Sequence, residues 1–244
     1  MKAYGRYVAL GDSFTEGLND ELPDGSFRGW ADHLAEILAT MNPALLYANR
    51  ALRGSTLRDV VQDQVPPALD MKPDLVTFCA GGNDVLVGAD VAELGGLFDD
   101  ALRSFRANRI DVLAVAGPDP LPLPLVRHAR PVVAAFNERI LVSARAYGAR
   151  VLDLWHITAL RDVRAWSADR LHFTPAAHAL IALHAAAALG LPVVVPSELP
   201  TFSRHMPDTV WVTTHFLPWV ARQMLGRSMG GARTPKRPVL TPVR

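Results

Sequence analysis

The chain has a single cysteine, Cys79, among 244 residues, so no disulfide can form within it. That cysteine lies in the apolar run Leu75-Val76-Thr77-Phe78-Cys79-Ala80, which reads as a buried strand and makes the thiol inert. An excess of one charge is also lacking. The 25 basic and 24 acidic side chains leave a formal net charge of +1, which removes any global electrostatic case for nucleic acid or a membrane surface as partner. No apolar run reaches the ~18 residues that cross a bilayer. The opening residues Met1-Lys2-Ala3-Tyr4-Gly5-Arg6 carry no apolar leader, so a soluble, cytoplasmic protein is expected. No histidines and carboxylates stand at a metal-ligand spacing, so neither a metal nor another cofactor is assigned.

Half of the residues are hydrophobic and a fifth are charged, a globular balance, and the length suits one α/β domain with a short appendage. Strand-like runs near 5–10, 44–49, 74–80, 110–116 and 149–154 alternate with helix-like segments near 28–41, 56–69, 90–108, 128–147 and 175–189. Short apolar strands covered by amphipathic helices imply a five-stranded parallel sheet buried on both faces, hence a three-layer α/β/α sandwich. Thr174-Pro175 opens the last helix and Gly190-Leu191-Pro192 closes it, so the domain is expected over 1–190. The extension 191–244 contains Trp211, Phe216, Trp219 and Leu225, expected as an aromatic helix that covers the core or forms a lid. A Gly/Pro/basic tail from Gly230 to Arg244 is expected to be flexible.

The most informative stretch is Gly11-Asp12-Ser13-Phe14-Thr15-Glu16-Gly17 after the apolar run Tyr7-Val8-Ala9-Leu10. A strand, a glycine turn and a helix present a serine hydroxyl at the carboxyl edge of an open sheet, where ligands bind. The same elements also serve to cradle a phosphate on backbone N–H groups. A nucleophilic serine needs a base, an orienting group for that base, and donors for an oxyanion. Asp169-Arg170-Leu171-His172, in a loop before the last helix, offers a carboxylate that folds back on the histidine Nδ1 and leaves Nε2 for the serine. Gly81-Gly82-Asn83-Asp84, after the third strand, offers an amide side chain to an oxyanion, and Gly54-Ser55-Thr56 opens a helix with free backbone N–H groups.

With Ser13, Gly54, Asn83 and His172 in four ordered blocks, the chain resembles the SGNH or GDSL hydrolase superfamily over residues 4–189. The resemblance implies a flavodoxin-like sheet and acyl-ester chemistry. It implies Ser13 as nucleophile, Asp169 and His172 completing the triad, and the Ser13 N–H, Gly54 N–H and Asn83 side chain as the oxyanion hole. Two positions depart from the family pattern: Phe14 follows the serine, and Phe173 follows the histidine where glycine is frequent. Gly29-Trp30-Ala31-Asp32 and the Pro235-Lys236-Arg237-Pro238 tail are similar to an actinobacterial intracellular subgroup. That similarity implies, as an alternative to ester hydrolysis, octanoyl transfer to a glucosylglycerate-type sugar acceptor. A non-catalytic carbohydrate- or phosphate-binding module is the alternative of another class.

Other residues have plainer readings beside functional ones. Asp12 and Asp84 are expected to hold loop backbone, and His178 and His184 to pack on the last helix. Arg50, Arg53 and Arg58 read as a solvated face. Arg53 is also a candidate anchor for an anionic acceptor, because a guanidinium suits bidentate recognition of a carboxylate. Pro118 to Leu125 is expected to form a stiff apolar wall, with Leu121 and Leu123 facing a short or medium acyl chain. The partners expected are a small acyl ester and a sugar acceptor.

Overall fold

The computed structural model describes residues 2–123, 126–198 and 234–243. Strands β1 (Arg6–Gly11), β2 (Leu46–Asn49), β3 (Leu75–Cys79), β4 (Asp111–Ala116) and β5 (Arg150–Asp153) are parallel to their neighbours in the order β5-β4-β3-β1-β2. This is the flavodoxin-like order, whose topological switch point lies between β1 and β3. Alternation along β1 explains the layers. Tyr7 and Ala9 face one core with Trp30 and Leu34, and Val8 and Leu10 face the other with Phe78 and Phe98. Helices α2 (Gly29–Met41) and α8 (Pro175–Ala188) pack together on the first side, α6 (Val91–Ala107) and α7 (Arg130–Tyr147) on the second. Phe78, Phe98 and Phe105 bring their rings within 4.9 to 6.0 Å on the second side. Truncating Phe98 to alanine would cost about 3–5 kcal/mol.

Two expectations need correction. The helix expected over 56–69 is broken into α3 (Leu57–Asp59), a π-helical turn (Val60–Gln64) and α4 (Val65–Asp70), with the Val65 N–H reaching back to the Val60 carbonyl. Pro66 and Pro67 have no N–H to donate and their rings crowd the preceding turn, so the ladder slips by one residue. Among the described residues the sheet also has six strands rather than five. Residues of the expected flexible tail form β6 (Arg237–Pro242), antiparallel to β2. Basic residues fix it: Lys236 Nζ is bound to the Phe27 and Arg28 carbonyls and to Asp32, Arg237 lies over the Tyr47 ring, and Arg50 donates to the Pro238 carbonyl at 2.8 Å. Its two prolines are tolerated because β6 is an edge strand. The expected aromatic helix around Trp211 to Leu225, and Leu125, lie outside the described residues. Among the described residues no helix is long and apolar enough to cross a membrane.

Candidate active site

Ser13 begins the four-residue helix α1 (Ser13–Glu16), directly beyond the carboxyl end of β1. Only glycine fits at position 11: a Cβ there would stand 2.2 Å from the Cys79 carbonyl oxygen of β3. Gln64, at the end of the π turn, accepts the Gly11 N–H and donates to the Gly11 carbonyl, both at 2.9 Å, as a neighbouring strand would. Asp12 caps α1 through the Phe14 N–H at 3.1 Å, and Asn49 donates to the Thr15 carbonyl at 2.8 Å. Burial pushes the Asp12 carboxyl up to about 6 against that N–H bond and the nearby His172. The serine therefore sits on a backbone held from three elements.

His172 Nε2 stands 2.8 Å from Ser13 Oγ, and its Nδ1 stands 2.7 Å from Asp169 Oδ2. An ionised carboxylate only accepts, so Nδ1 carries the proton and Nε2 faces the serine hydroxyl as acceptor. Asp169 Oδ1 takes the backbone N–H groups of Leu171 and His172 at 3.0 Å each, and Asn19 Nδ2 donates to Oδ2 at 2.7 Å. Burial pushes this carboxyl up, but the hydrogen bond and charge of His172 with the two N–H groups outweigh it and hold Asp169 well below the usual carboxylate range. The two family departures meet here. Phe14 packs on Phe173 with centroids 4.8 Å apart and stands T-shaped to the His172 ring at 6.0 Å.

Behind this chain of bonds, His178 on α8 accepts the Trp30 N–H at Nδ1 and faces the Leu18 carbonyl from Nε2. Burial pushes it down to about 4, and it stays neutral as a packing residue.

Gly54 has φ +80°, a conformation that strains other residues although a Cβ would meet nothing within 4 Å. Among the described residues, neither its N–H nor that of Ser13 donates to another group of the protein. Asn83, at the start of α5 (Gly82–Leu86), gives one amide hydrogen to the Ser55 carbonyl at 3.0 Å and keeps the other. Asp84 accepts the Leu57 N–H at 2.8 Å, and Thr56 and Asp59 close a capping box, so the loop after β2 is fixed at its far end too.

Ser13, Gly54, Asn83, His172, Arg53 and Leu123 line one cavity of about 370 Å³, with Asp169 behind His172. Its deeper wall is apolar, from Val115, Val133, Phe136, Ile140 and Leu154. Two expected wall and binding residues are placed differently. Leu121 is 56% exposed and absent from the cavity lining, whereas Leu123 is buried in it. Asp119, clamped by Arg130, takes the Leu121 N–H at 3.0 Å, and the turn from Pro120 to Leu123 then points Leu121 outward. Arg53 lines the cavity with part of its guanidinium already paired. Its Nε and Nη2 are engaged by the Glu16 carboxylate, while Arg50 binds β6 and Arg58 pairs with Glu93. Asn19, Gln64, Asn49 and Glu16 were not singled out by sequence reasoning. Gln64 carried one signal, an amide directly before Val65-Pro66-Pro67.

A serine, a tautomer-locked histidine and unpaired N–H groups at the switch point of a flavodoxin-like sheet are the parts an acyl-transfer site requires. A model of the GDSL-like Lipase/Acylhydrolase family matches residues 9–180. The chain belongs to that family, and it is an enzyme of ester chemistry. No curated protein matches it in sequence. Solved structures share the fold. LAE5, an alpha/beta hydrolase from the metagenome of Lake Arreo, is 21% identical with a TM-score of 0.68, over 80% of this chain and 99% of its own. Axe2, an acetylxylan esterase from Geobacillus stearothermophilus, is 17% identical with a TM-score of 0.62, over 78% and 97%. The psychrotrophic esterase EstA from Pseudoalteromonas sp. is 15% identical with a TM-score of 0.62, over 76% and 97%.

Proposed function

We propose that residues 1–190 form a serine-dependent acyl-ester hydrolase working through an acyl-Ser13 intermediate, with 191–244 as an extension of that catalytic unit. The observation that carries the reading is the continuous bond chain from Ser13 Oγ through His172 to Asp169. Ser13 Oγ attacks the ester carbonyl as its proton passes to His172 Nε2, and Asp169 stabilises the imidazolium. The carbonyl oxygen, now an oxyanion, is received by the N–H groups of Ser13 and Gly54 and the free amide hydrogen of Asn83. The carbon–oxygen bond to the leaving group then breaks, the alkoxide takes the proton from His172, and acyl-Ser13 remains. Water deprotonated by His172 releases the acid and restores the serine.

The apolar wall favours a short or medium acyl chain, and the name of the acetylxylan esterase among the structural neighbours gives a carbohydrate ester as precedent for the alcohol side. Transfer to a glucosylglycerate-type hydroxyl is the narrower alternative within this chemistry, and the Glu16 carboxylate on Arg53 offsets part of the charge an anionic acceptor would meet there. The test is mass spectrometry of protein and products with p-nitrophenyl esters of graded chain length, with and without glucosylglycerate. An acyl adduct on Ser13 and free acid are expected. Turnover without an adduct, or equal activity in Ser13→Ala, rejects the mechanism, and an acylated sugar would make the enzyme a transferase.

A further inference from the structure

Glu16 lies one helical turn after Ser13 on α1, and its carboxylate turns onto the loop that carries Gly54. Oε2 accepts the Arg53 backbone N–H at 2.6 Å and Nε at 3.1 Å, and Oε1 accepts Nε at 2.9 Å and also Nη2. The guanidinium lies over the Phe27 ring, 4.8 Å from its centroid, and the Phe27 carbonyl is held in turn by Lys236. The paired side chains are only 11% and 27% exposed. Withdrawing two charges from water costs several kcal/mol that their attraction often fails to recover, so such a pair is a weak explanation for stability. Its place in the fold suggests another use. One end sits on the helix that bears the nucleophile, the other on the residue before the unpartnered Gly54 N–H.

We propose that the Glu16–Arg53 pair is a positioning device for the reaction, locking the Gly54 N–H to the Ser13 helix so that nucleophile and oxyanion donor keep one geometry. Arg53 also neutralises a carboxylate that would otherwise place a negative charge beside the developing oxyanion. The inference rests on the reading of Gly54 as an oxyanion donor. It makes Arg53 a positioning residue rather than a contact to the acceptor.

The two roles predict an unusual pattern. Arg53→Met leaves the Glu16 carboxylate without its guanidinium partner, and should lower kcat by about tenfold to a hundredfold with KM within about twofold, the signature of a donor that acts in the transition state. Adding Glu16→Gln removes the charge yet keeps an oxygen for the backbone N–H of residue 53, and should restore at least about fivefold of kcat. A pair that merely holds the fold together would give a double variant no better than the single one, with losses following the melting temperature. The measurement is kcat and KM on p-nitrophenyl butyrate, beside thermal melting, for both variants and for Arg53→Lys. Lysine keeps the charge without the fork and should fall between, and it carries the test if Arg53→Met does not fold. Wild-type kcat in a folded Arg53→Met or Arg53→Lys, a loss borne by KM, or no recovery in the double variant overturns the proposal. Ser13→Ala run in parallel separates the failures: if it stays active the hydrolase reading itself is wrong, and if it is dead only the positioning role is at stake.

Discussion

Two turns of this chain close the same bond with the same spacing, and only one of them faces a serine. Asp153-Leu154-Trp155-His156, at the end of β5, and Asp169-Arg170-Leu171-His172, before α8, each bring histidine Nδ1 to 2.7 Å from the aspartate Oδ2. In the first the histidine side chain is 73% exposed and its partner 31%; in the second the figures are 13% and 21%. The second carboxylate also collects two backbone N–H groups and Asn19, and its histidine meets Ser13 and the edge of Phe14. An aspartate three residues before a histidine thus makes an oriented imidazole by local geometry alone. What separates the second turn from the first is the burial and the serine neighbour that the fold adds.

The comparison is broken most severely at its centre. Ser13→Ala is expected to remove essentially all ester turnover, a fall of about 10⁴-fold or more, with melting unchanged, as followed by p-nitrophenyl butyrate hydrolysis. Asp169→Asn should cost about 10³- to 10⁴-fold in kcat, because an amide no longer selects the Nδ1–H tautomer. The matching change in the exposed turn, Asp153→Asn, should leave kcat/KM within about twofold. If the two asparagine variants lose activity alike, burial is not what separates the turns. Asn83→Ala should lower kcat about 10²- to 10³-fold, about 2.7–4 kcal/mol of barrier, with little change in KM; a dominant rise in KM would count against an oxyanion role.

A third histidine sharpens the contrast through stability rather than rate. His178 is held neutral with its folded pKa pushed down to about 4 from 6.5, so the unfolded chain takes up a proton first as pH falls. Its contribution is complete above pH 6.5 and is lost between there and about pH 4. The cost of His178→Gln in urea unfolding should therefore shrink from pH 7 to about pH 4 by up to about 3 kcal/mol. Asp12 slopes the other way, because its folded pKa lies above the ordinary 3.8, so the variant must be compared with wild type at each pH. A cost that does not change with pH would mean that His178 is not kept neutral by burial.

Much of this molecule was legible without coordinates because it is written in short-range patterns. The apolar runs ending at Leu10, Asn49, Cys79, Ala116 and Asp153 specify buried parallel strands, and the Thr174-Pro175 cap starts α8 where expected. Ser13, Gly54 and Asn83 follow β1, β2 and β3, His172 lies in the loop before α8, and the four line one cavity. Long-range placements were not legible. Nothing local tells a basic, proline-containing tail that Asp32, Tyr47 and a free edge of β2 await it, so β6 read as flexible. Arg53 read as part of a solvated face or a candidate anchor, since its partner Glu16 lies 37 residues earlier. Leu121 and Leu123 look alike in sequence, and only the Asp119–Arg130 clamp decides which one enters the cavity. The sequence by itself determined the layers, the order of the motif blocks and the family, since periodicity, caps and motif spacing are properties of neighbouring residues. The tertiary structure alone decided how deeply the Asp169–His172 turn is buried, where each arginine's charge is spent and which leucine is wetted, because burial and pairing across the chain exist only once distant segments have packed.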